Sequence, residues 1–203
     1  MYLAASGVGE ITICDGDSVD LTNLQRQIIH QTESIGQKKT ESSKNTLLQL
    51  NPEIKIHAFS EKATKETLAE LMAGIDVVID ATDNFETRHS INRECVKQDK
   101  PLVSGAAIRF DGQVSVFNLQ KDDSPCYHCL FPEEGTLEET KCSEMGVFAP
   151  MVGIIGSCQA AEALKILLEI GNCLDGRLLL LDGLNMTWRS VEIKRDPKCS
   201  VHK

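Results

Sequence analysis

The chain has 203 residues, 41% of them hydrophobic and 25% charged, with a formal net charge of −9. That length and apolar content suffice to bury a full core, and one domain spanning residues 1–203 is the expectation. The negative balance excludes nucleic acid and an anionic membrane surface as main partners, because both reward positive charge.

In chain order, MYLAASGVG reads as the tail of a helix capped at Gly7 or Gly9, and Glu10 to Cys14 as a strand closed by the acid Asp15. A short helix is expected around Asn23 to His30, then a longer one from about Gln37 to Leu50, stopped by Asn51 and Pro52. A strand over Lys55–Phe59, a helix from Thr64 to Met72 and an apolar strand from Asp76 to Ile79 follow. A helix from Phe85 to Gln98 leads through Pro101 into LVSGAAIR and the alternating GQVSVFNL. Residues 120–146 are polar and acidic, which predicts an exposed, mobile excursion. The helix from Pro150 or Met151 to about Leu168 is apolar on nearly every side and is expected to be buried, while RLLLLDG and TWRSVEIKR read as two antiparallel strands. The pattern predicts an α/β fold, a Rossmann-like, mostly parallel sheet with antiparallel additions and helices on both faces. Its apolar runs fall short of a membrane span and its first residues lack the basic start of a signal peptide, so the expected compartment is the cytoplasm.

Eight cysteines in such a chain point to metal or catalysis before disulfides. Cys126 and Cys129 form C-Y-H-C, and Cys199 and His202 form C-S-V-H near the end. Both pairs have the two-residue spacer of a knuckle gripping tetrahedral zinc, and together they make a Cys3His set for structural Zn2+. His128, inside the first pair, reads as an exposed loop residue. Cys14, Cys95, Cys158 and Cys173 read as packing residues, and His30, His57 and His89 show no ligand pattern. Trp188 reads as core or a dimer contact.

Ligands of open α/β sheets bind beyond the carboxyl ends of strands, so chemistry is sought there. Asp15 stands where a nucleotide fold places the acid that takes ribose hydroxyls, with Asn23, Arg26 and Gln27 in the following loop. A second strand ends in Asp80-Ala-Thr-Asp83-Asn84, where one acid can hold Mg2+ against phosphate oxygens. A third strand carries Ser104-Gly105-Ala106, small residues that admit a close backbone approach. Lys39, at the head of the long helix, supplies positive charge for a polyphosphate, whereas Lys38 reads as a surface charge. Caps and solvated charges are the plain alternatives for every one of these. Their joint presence at strand ends, in the order nucleotide, phosphate, phosphate, metal, favours an ATP–Mg2+ site over Asp15, Arg26, Lys39 and Asp83.

The segments DGDSVDLTNLQRQ, GQKK, ATDN, PLVSGAA, CYHC and APMVGIIGSCQAAEALK resemble, in order and spacing, the ThiF/MoeB/HesA family, bacterial relatives of ubiquitin-activating enzymes. The stretches CYHCLFPEE and LDGLNMTWRS, with Cys142, lean toward ThiF. The resemblance implies a homodimer with a zinc knuckle in each subunit. It also implies MgATP-dependent adenylylation of the C-terminal glycine of a small ubiquitin-like sulfur carrier, ThiS or alternatively MoaD, with release of pyrophosphate. It gives Asp15 the ribose, Asn23, Arg26 and Lys39 the phosphates with Gln27 beside them, and Asp83 the magnesium. Cys126, Cys129 and Cys199 become zinc ligands, and Cys142 matches a loop cysteine linked to sulfur transfer.

The sequence departs from that pattern in two places. The family's first strand, glycine-rich ATP loop and an arginine reaching the partner subunit all precede the point where this chain starts, and its last knuckle is Cys-x-x-Cys where this chain has His202. A nicotinamide-dependent oxidoreductase and a non-catalytic carrier-docking domain are the rival readings. The former leaves the zinc pairs and ATDN unexplained. Without the loop's backbone N–H groups the phosphates lose an anion cradle, so the 203 residues alone are expected to bind ATP weakly. A submicromolar dissociation constant by calorimetry would overturn that expectation.

Overall fold

The structure is a computed structural model that describes residues 1–133 and 146–202. Contacts divide the chain into two compact units, Met1–Thr67 and Leu68–Lys203.

The first unit is built on strand β1 (Glu10–Cys14), which pairs in parallel with β2 (Lys55–Phe59), Glu10 opposite Lys55 and Cys14 opposite Phe59. Parallel neighbours need a crossover, and helix α2 (Lys39–Leu50) supplies it. Leu47 from α2, Ile54, Ile56 and Ala4 of the short helix α1 (Tyr2–Ala5) form the buried cluster, with Ile11, Ile13, Ile29 and Leu48 packed around it. Gly7 follows α1 at φ +81°, the left-handed geometry expected of a capping glycine.

The helix expected over Asn23 to His30 is instead a single 3-10 turn, Leu21–Asn23, followed by further turns. The reason is local. Asp20 and Asn23 close a capping box, and the Arg26 guanidinium donates to Thr22 O at 3.0 Å. That is the carbonyl an α-helix would offer to the Arg26 N–H, which turns to Asn23 O at 3.0 Å instead.

In the second unit five strands run in the order β3 (Val78–Asp80), β4 (Leu102–Ile108), β5 (Asp111–Phe117), β6 (Arg177–Asp182) and β7 (Thr187–Glu192). Helix α3 (Lys65–Leu71) spans the break between units, and α4 (Phe85–Lys97) is the crossover that lets β3 and β4 pair in parallel. The remaining pairs are antiparallel; β4 and β5 are joined by Arg109 and Phe110 alone and β6 and β7 by residues 183–186, too few for a crossover, while β5 and β6 are joined by the long segment that holds the helices Tyr127–Leu130 and Ala149–Leu168. The architecture is therefore mixed α/β rather than mostly parallel.

Residues 120–146 also differ from expectation where they are described. Ser124 to His128 are buried, Tyr127–Leu130 form a short helix α5, and Asn92 Oδ1 accepts from Tyr127 N at 2.9 Å. The exposed-excursion reading of 134–145 lies outside the described residues.

Helix α6 (Ala149–Leu168) packs on β4 and β5 along one stripe, Met151, Ile155, Gln159, Ala160, Glu162 and Ala163, while Gly153, Gly156 and Ser157 face outward. A helix laid on one sheet face buries one stripe, which corrects the expectation of burial all round. By length and composition α6 could cross a membrane, yet its inward polar groups are tied to the fold. Glu162 Oε2 accepts from Leu174 N at 2.8 Å, and Gln159 Nε2 donates to Asp80 O at 2.7 Å and Val103 O at 3.2 Å. Gln159 thereby joins the ends of β3 and β4, and Gly105 makes room for it: a Cβ there would stand 2.3 Å from Gln159 Cδ.

Replacing Gln159 by Leu keeps the volume and orphans two buried carbonyls, so it is expected to cost about 2 kcal/mol or more, read as a lower urea midpoint. Gly105→Ala, which overpacks the same contact, is expected to lose roughly 1–3 kcal/mol. Unchanged midpoints in both would mean the carboxamide does not bridge the strands.

Candidate functional site

In the first unit Asp15 leaves β1 in register, its N–H bound to Phe59 O at 3.1 Å. Its Oδ1 turns back to accept from Asp17 N at 2.8 Å, an Asx turn that aims the carboxylate at the head of α2. Lys39, the first residue of that helix, places Nζ 2.7 Å from Asp17 Oδ2 and 3.8 Å from Asp15 Oδ2. The lysine side chain is only 12% exposed and that of Asp15 is 38% exposed. One sheltered ammonium thus stands between two acids, and Asp15, the farther of them from Nζ, keeps an oxygen able to accept hydroxyl hydrogen bonds. Lys38 Nζ donates to Gly16 O at 2.9 Å, which braces the loop after β1. Nearby His30 shares a hydrogen bond with Ser42 Oγ at 2.9 Å, and burial, then the charge of Lys39, push its pKa down.

Asn23, Arg26 and Gln27 sit on the turn that follows. Asn23 Oδ1 accepts from Asp20 N at 3.0 Å, and the Arg26 guanidinium is laid on Thr22 O. Both side chains are engaged within their own turn. Gln27 Oε1 differs: it is buried without a hydrogen-bond partner among the described residues. Such an atom costs roughly 1–3 kcal/mol unless a donor meets it, which marks it as a place for a bound hydroxyl or N–H.

In the second unit the two acids of Asp80-Ala-Thr-Asp83 have separate lives. Asp80 is 1% exposed. Its Oδ1 accepts from Thr82 N at 2.9 Å and Thr82 Oγ1 at 2.8 Å, and its Oδ2 from Ser104 Oγ at 3.2 Å. Those bonds lock the β3 end and hold Asp80 away from solvent. Asp83, three residues on, is exposed and precedes Asn84, the cap of α4, whose Oδ1 accepts from Thr87 N at 2.8 Å. Of the pair, Asp83 is the acid free to take a hard divalent ion.

The four residues of the Cys3His set converge. Cys126 precedes α5, Cys129 lies within it, and Cys199 and His202 arrive from the tail, with their donor atoms all within 4.8 Å of one another. Cys126 Sγ stands 3.9 Å from Cys129 Sγ and 3.8 Å from Cys199 Sγ, and Cys129 Sγ is 3.3 Å from His202 Nε2. Tetrahedral zinc with bonds of about 2.3 Å to sulfur holds its sulfurs about 3.8 Å apart, so the spacing fits. The Cys126 thiol, by its hydrogen bond to Cys129 and then by burial, is pushed up, and the same bond pulls Cys129 down to about 4. Asp196 N donates to Cys129 Sγ at 3.4 Å and Asn92 Nδ2 to Cys126 Sγ at 3.6 Å, the outer support that thiolate ligands require.

Several residues escaped the sequence reading. Asp17 shares Lys39 with Asp15, and the Asp-Gly-Asp spacing was the available signal. Gln159 was hidden inside an apolar helix. His128 is 6% exposed and His89 5%, against the expectation of a loop residue and of an unremarkable histidine, and both lie beside Glu133. Cys142, the candidate for sulfur transfer, lies outside the described residues.

A model of the ThiF family matches residues 1–201. The sulfur carrier protein adenylyltransferase of Thermus thermophilus is 42% identical over 206 residues, covering 98% of this chain and 75% of its own. The molybdopterin-synthase adenylyltransferase of Escherichia coli is 43% identical over 200 residues, covering 98% of this chain and 80% of its own. Among solved structures, E. coli MccB with ATP superposes with a TM-score of 0.82 at 23% identity, covering 100% of this chain and 61% of that one, a likeness of fold. This chain therefore spans about three fifths of that solved chain.

The protein is expected to carry one zinc on the Cys3His set, counted by atomic absorption. Cys126→Ser is expected to lose that metal and lower the melting temperature, and His202→Ala to retain it with weaker affinity. Full zinc content in the Cys126 variant would place the metal elsewhere.

Proposed function

The chain belongs to the ThiF family, and we propose that it adenylylates the C-terminal glycine of a ubiquitin-like sulfur carrier protein at the expense of ATP. Nucleotidyl transfer is the chemistry of the relatives whose names speak of adenylyltransferases. The single observation that carries the reading to residues is Lys39, sheltered at the head of α2 between Asp15 and Asp17 just beyond the carboxyl end of a parallel strand.

The carrier's terminal carboxylate is already ionised at neutral pH, so the attack needs no general base. A carboxylate oxygen forms the new bond to the α-phosphorus, and the bond from that phosphorus to the bridging oxygen breaks, with the electron pair leaving on pyrophosphate. What the chain supplies is position and charge. Asp15 accepts from ribose hydroxyls. Lys39 exchanges Asp17 for phosphate oxygens, and Arg26 and Asn23 turn from their own loop to the same anion. Gln27 Oε1, buried and without a partner among the described residues, meets a donor on the nucleotide. Asp83 would hold Mg2+, whose charge offsets the phosphates.

ThiS is the carrier preferred by the ThiF-like segments, with MoaD the alternative, and relatives named for a sulfur carrier and for molybdopterin synthase stand at nearly equal identity. Cys142 is assigned the handover of sulfur after activation. The active form is read as a homodimer, with a structural zinc in each subunit, working in the cytoplasm, where its thiols stay reduced.

In the protein that carries this chain, ATP–pyrophosphate exchange is expected only when a carrier ending in glycine is present, and side-by-side assays with ThiS and MoaD decide between them. Lys39→Ala is expected to lower kcat/KM by about 10^2 to 10^3. Cys142→Ser is expected to leave exchange intact and abolish sulfur delivery. Exchange undiminished by loss of Lys39 would refute the assignment.

A further inference from the structure

The geometry points to a second divalent-metal site, built from His89, His128 and Glu133 and separate from the Cys3His set. One ring nitrogen of each histidine and one carboxylate oxygen of Glu133 lie within 4.8 Å of one another. His89 Nδ1 is 3.4 Å from Glu133 Oε1, and the two imidazole rings stand 5.7 Å apart at 70°, edge to face. Two imidazoles and a carboxylate are the donors of borderline transition ions such as Zn2+, Co2+ and Ni2+, not of Mg2+ or Ca2+.

The surroundings favour a bound ion. His89 belongs to α4, while His128 and Glu133 belong to the turn of α5 and the residues after it, so two segments converge rather than one loop folding on itself. Both histidines are buried, with ring centroids of Phe85 and Tyr127 at 6.4 and 5.3 Å from His89 and Phe131 packed on those two rings. A dry aromatic wall raises the strength of every charge interaction inside it. Glu133 closes the open side and is exposed. For metal–donor bonds of about 2.0–2.2 Å the three atoms would draw together to roughly 3.0–3.6 Å, a small movement for a flexible exposed carboxylate. Three protein ligands leave a coordination place for water, so this ion exchanges more readily than the one on the thiolates.

Arg93 is the competitor. Its Nη1 contacts Glu133 Oε1, and its Nη2 donates to Ser90 Oγ at 3.1 Å. Metal binding therefore displaces a guanidinium from Glu133, which limits affinity. Because His128 lies between Cys126 and Cys129, filling the Cys3His set also fixes the backbone that carries His128, and the thiolate site is expected to fill first.

The test is a Co2+ titration of the zinc-containing protein, followed by calorimetry and visible absorption. One added equivalent is expected, showing d–d bands without thiolate-to-cobalt charge transfer. Glu133→Gln, an exposed change that leaves the aromatic wall alone, is expected to weaken that equivalent by more than about 10-fold, and His128→Gln to remove it. Should His128→Gln fail to fold, Glu133→Gln decides. No cobalt bound beyond the thiolate site, cobalt bands of thiolate character only, or equal binding in Glu133→Gln would show that His89, Glu133 and Arg93 form an ion-pair network and nothing more.

Discussion

An acidic chain that gathers its anions must place a cation among them, and that constraint shapes both units of this protein. With a net charge of −9, every convergence of carboxylates or thiolates is repulsive until a positive charge enters. In the first unit the cation is covalent, the Lys39 ammonium between Asp15 and Asp17. In the second the donors of Cys126, Cys129, Cys199 and His202 converge within 4.8 Å of one another, a spacing suited to a metal cation. A proton shared between Cys126 and Cys129 is a weak substitute. A tetrahedral cation such as zinc fits the spacing of these four donors, which come from the turn of α5 and from the tail.

The polar groups that are not balanced by charge are balanced by hydrogen bonds, and these organise the carboxyl end of β3 and the facing residues Val103 and Ser104 of β4. Asp80 gives its carboxylate to Thr82 and Ser104 and its carbonyl to Gln159. That leaves Asp83 exposed and uncommitted on the loop before α4. One strand end thus carries a locked acid and an exposed one, three residues apart. The Asx turn at Asp15 performs a similar division in the first unit, since one oxygen shapes the loop while the other faces Lys39.

Much of this was legible because strong local signals agreed with the fold. Lys55–Phe59 forms β2 at its expected bounds, and α4 runs Phe85–Lys97 within one residue of the expected Phe85 to Gln98. The convergence of Cys126, Cys129, Cys199 and His202 was legible from spacing, since two short-spaced donor pairs have few other uses. The misses at Gln159 and His128 share a cause, which is that tertiary partners decided them. Gln159 could not be singled out because its carbonyl partners lie far away in sequence. His128 looked like a loop residue because polar, acidic neighbours hid the aromatic wall formed by Phe85, Tyr127 and Phe131. Arg26 ended a predicted helix by a side-chain bond to Thr22 O that no propensity scale contains. The mixed sheet followed from connection lengths, which the sequence shows but the period-two pattern does not weigh.

The claim that anions here are matched by a cation is tested most directly by zinc K-edge X-ray absorption on the purified protein. The account predicts a first shell of three sulfurs at about 2.3 Å and one imidazole nitrogen at about 2.0 Å. A shell of oxygen and nitrogen without sulfur, or no zinc edge at all, would contradict it.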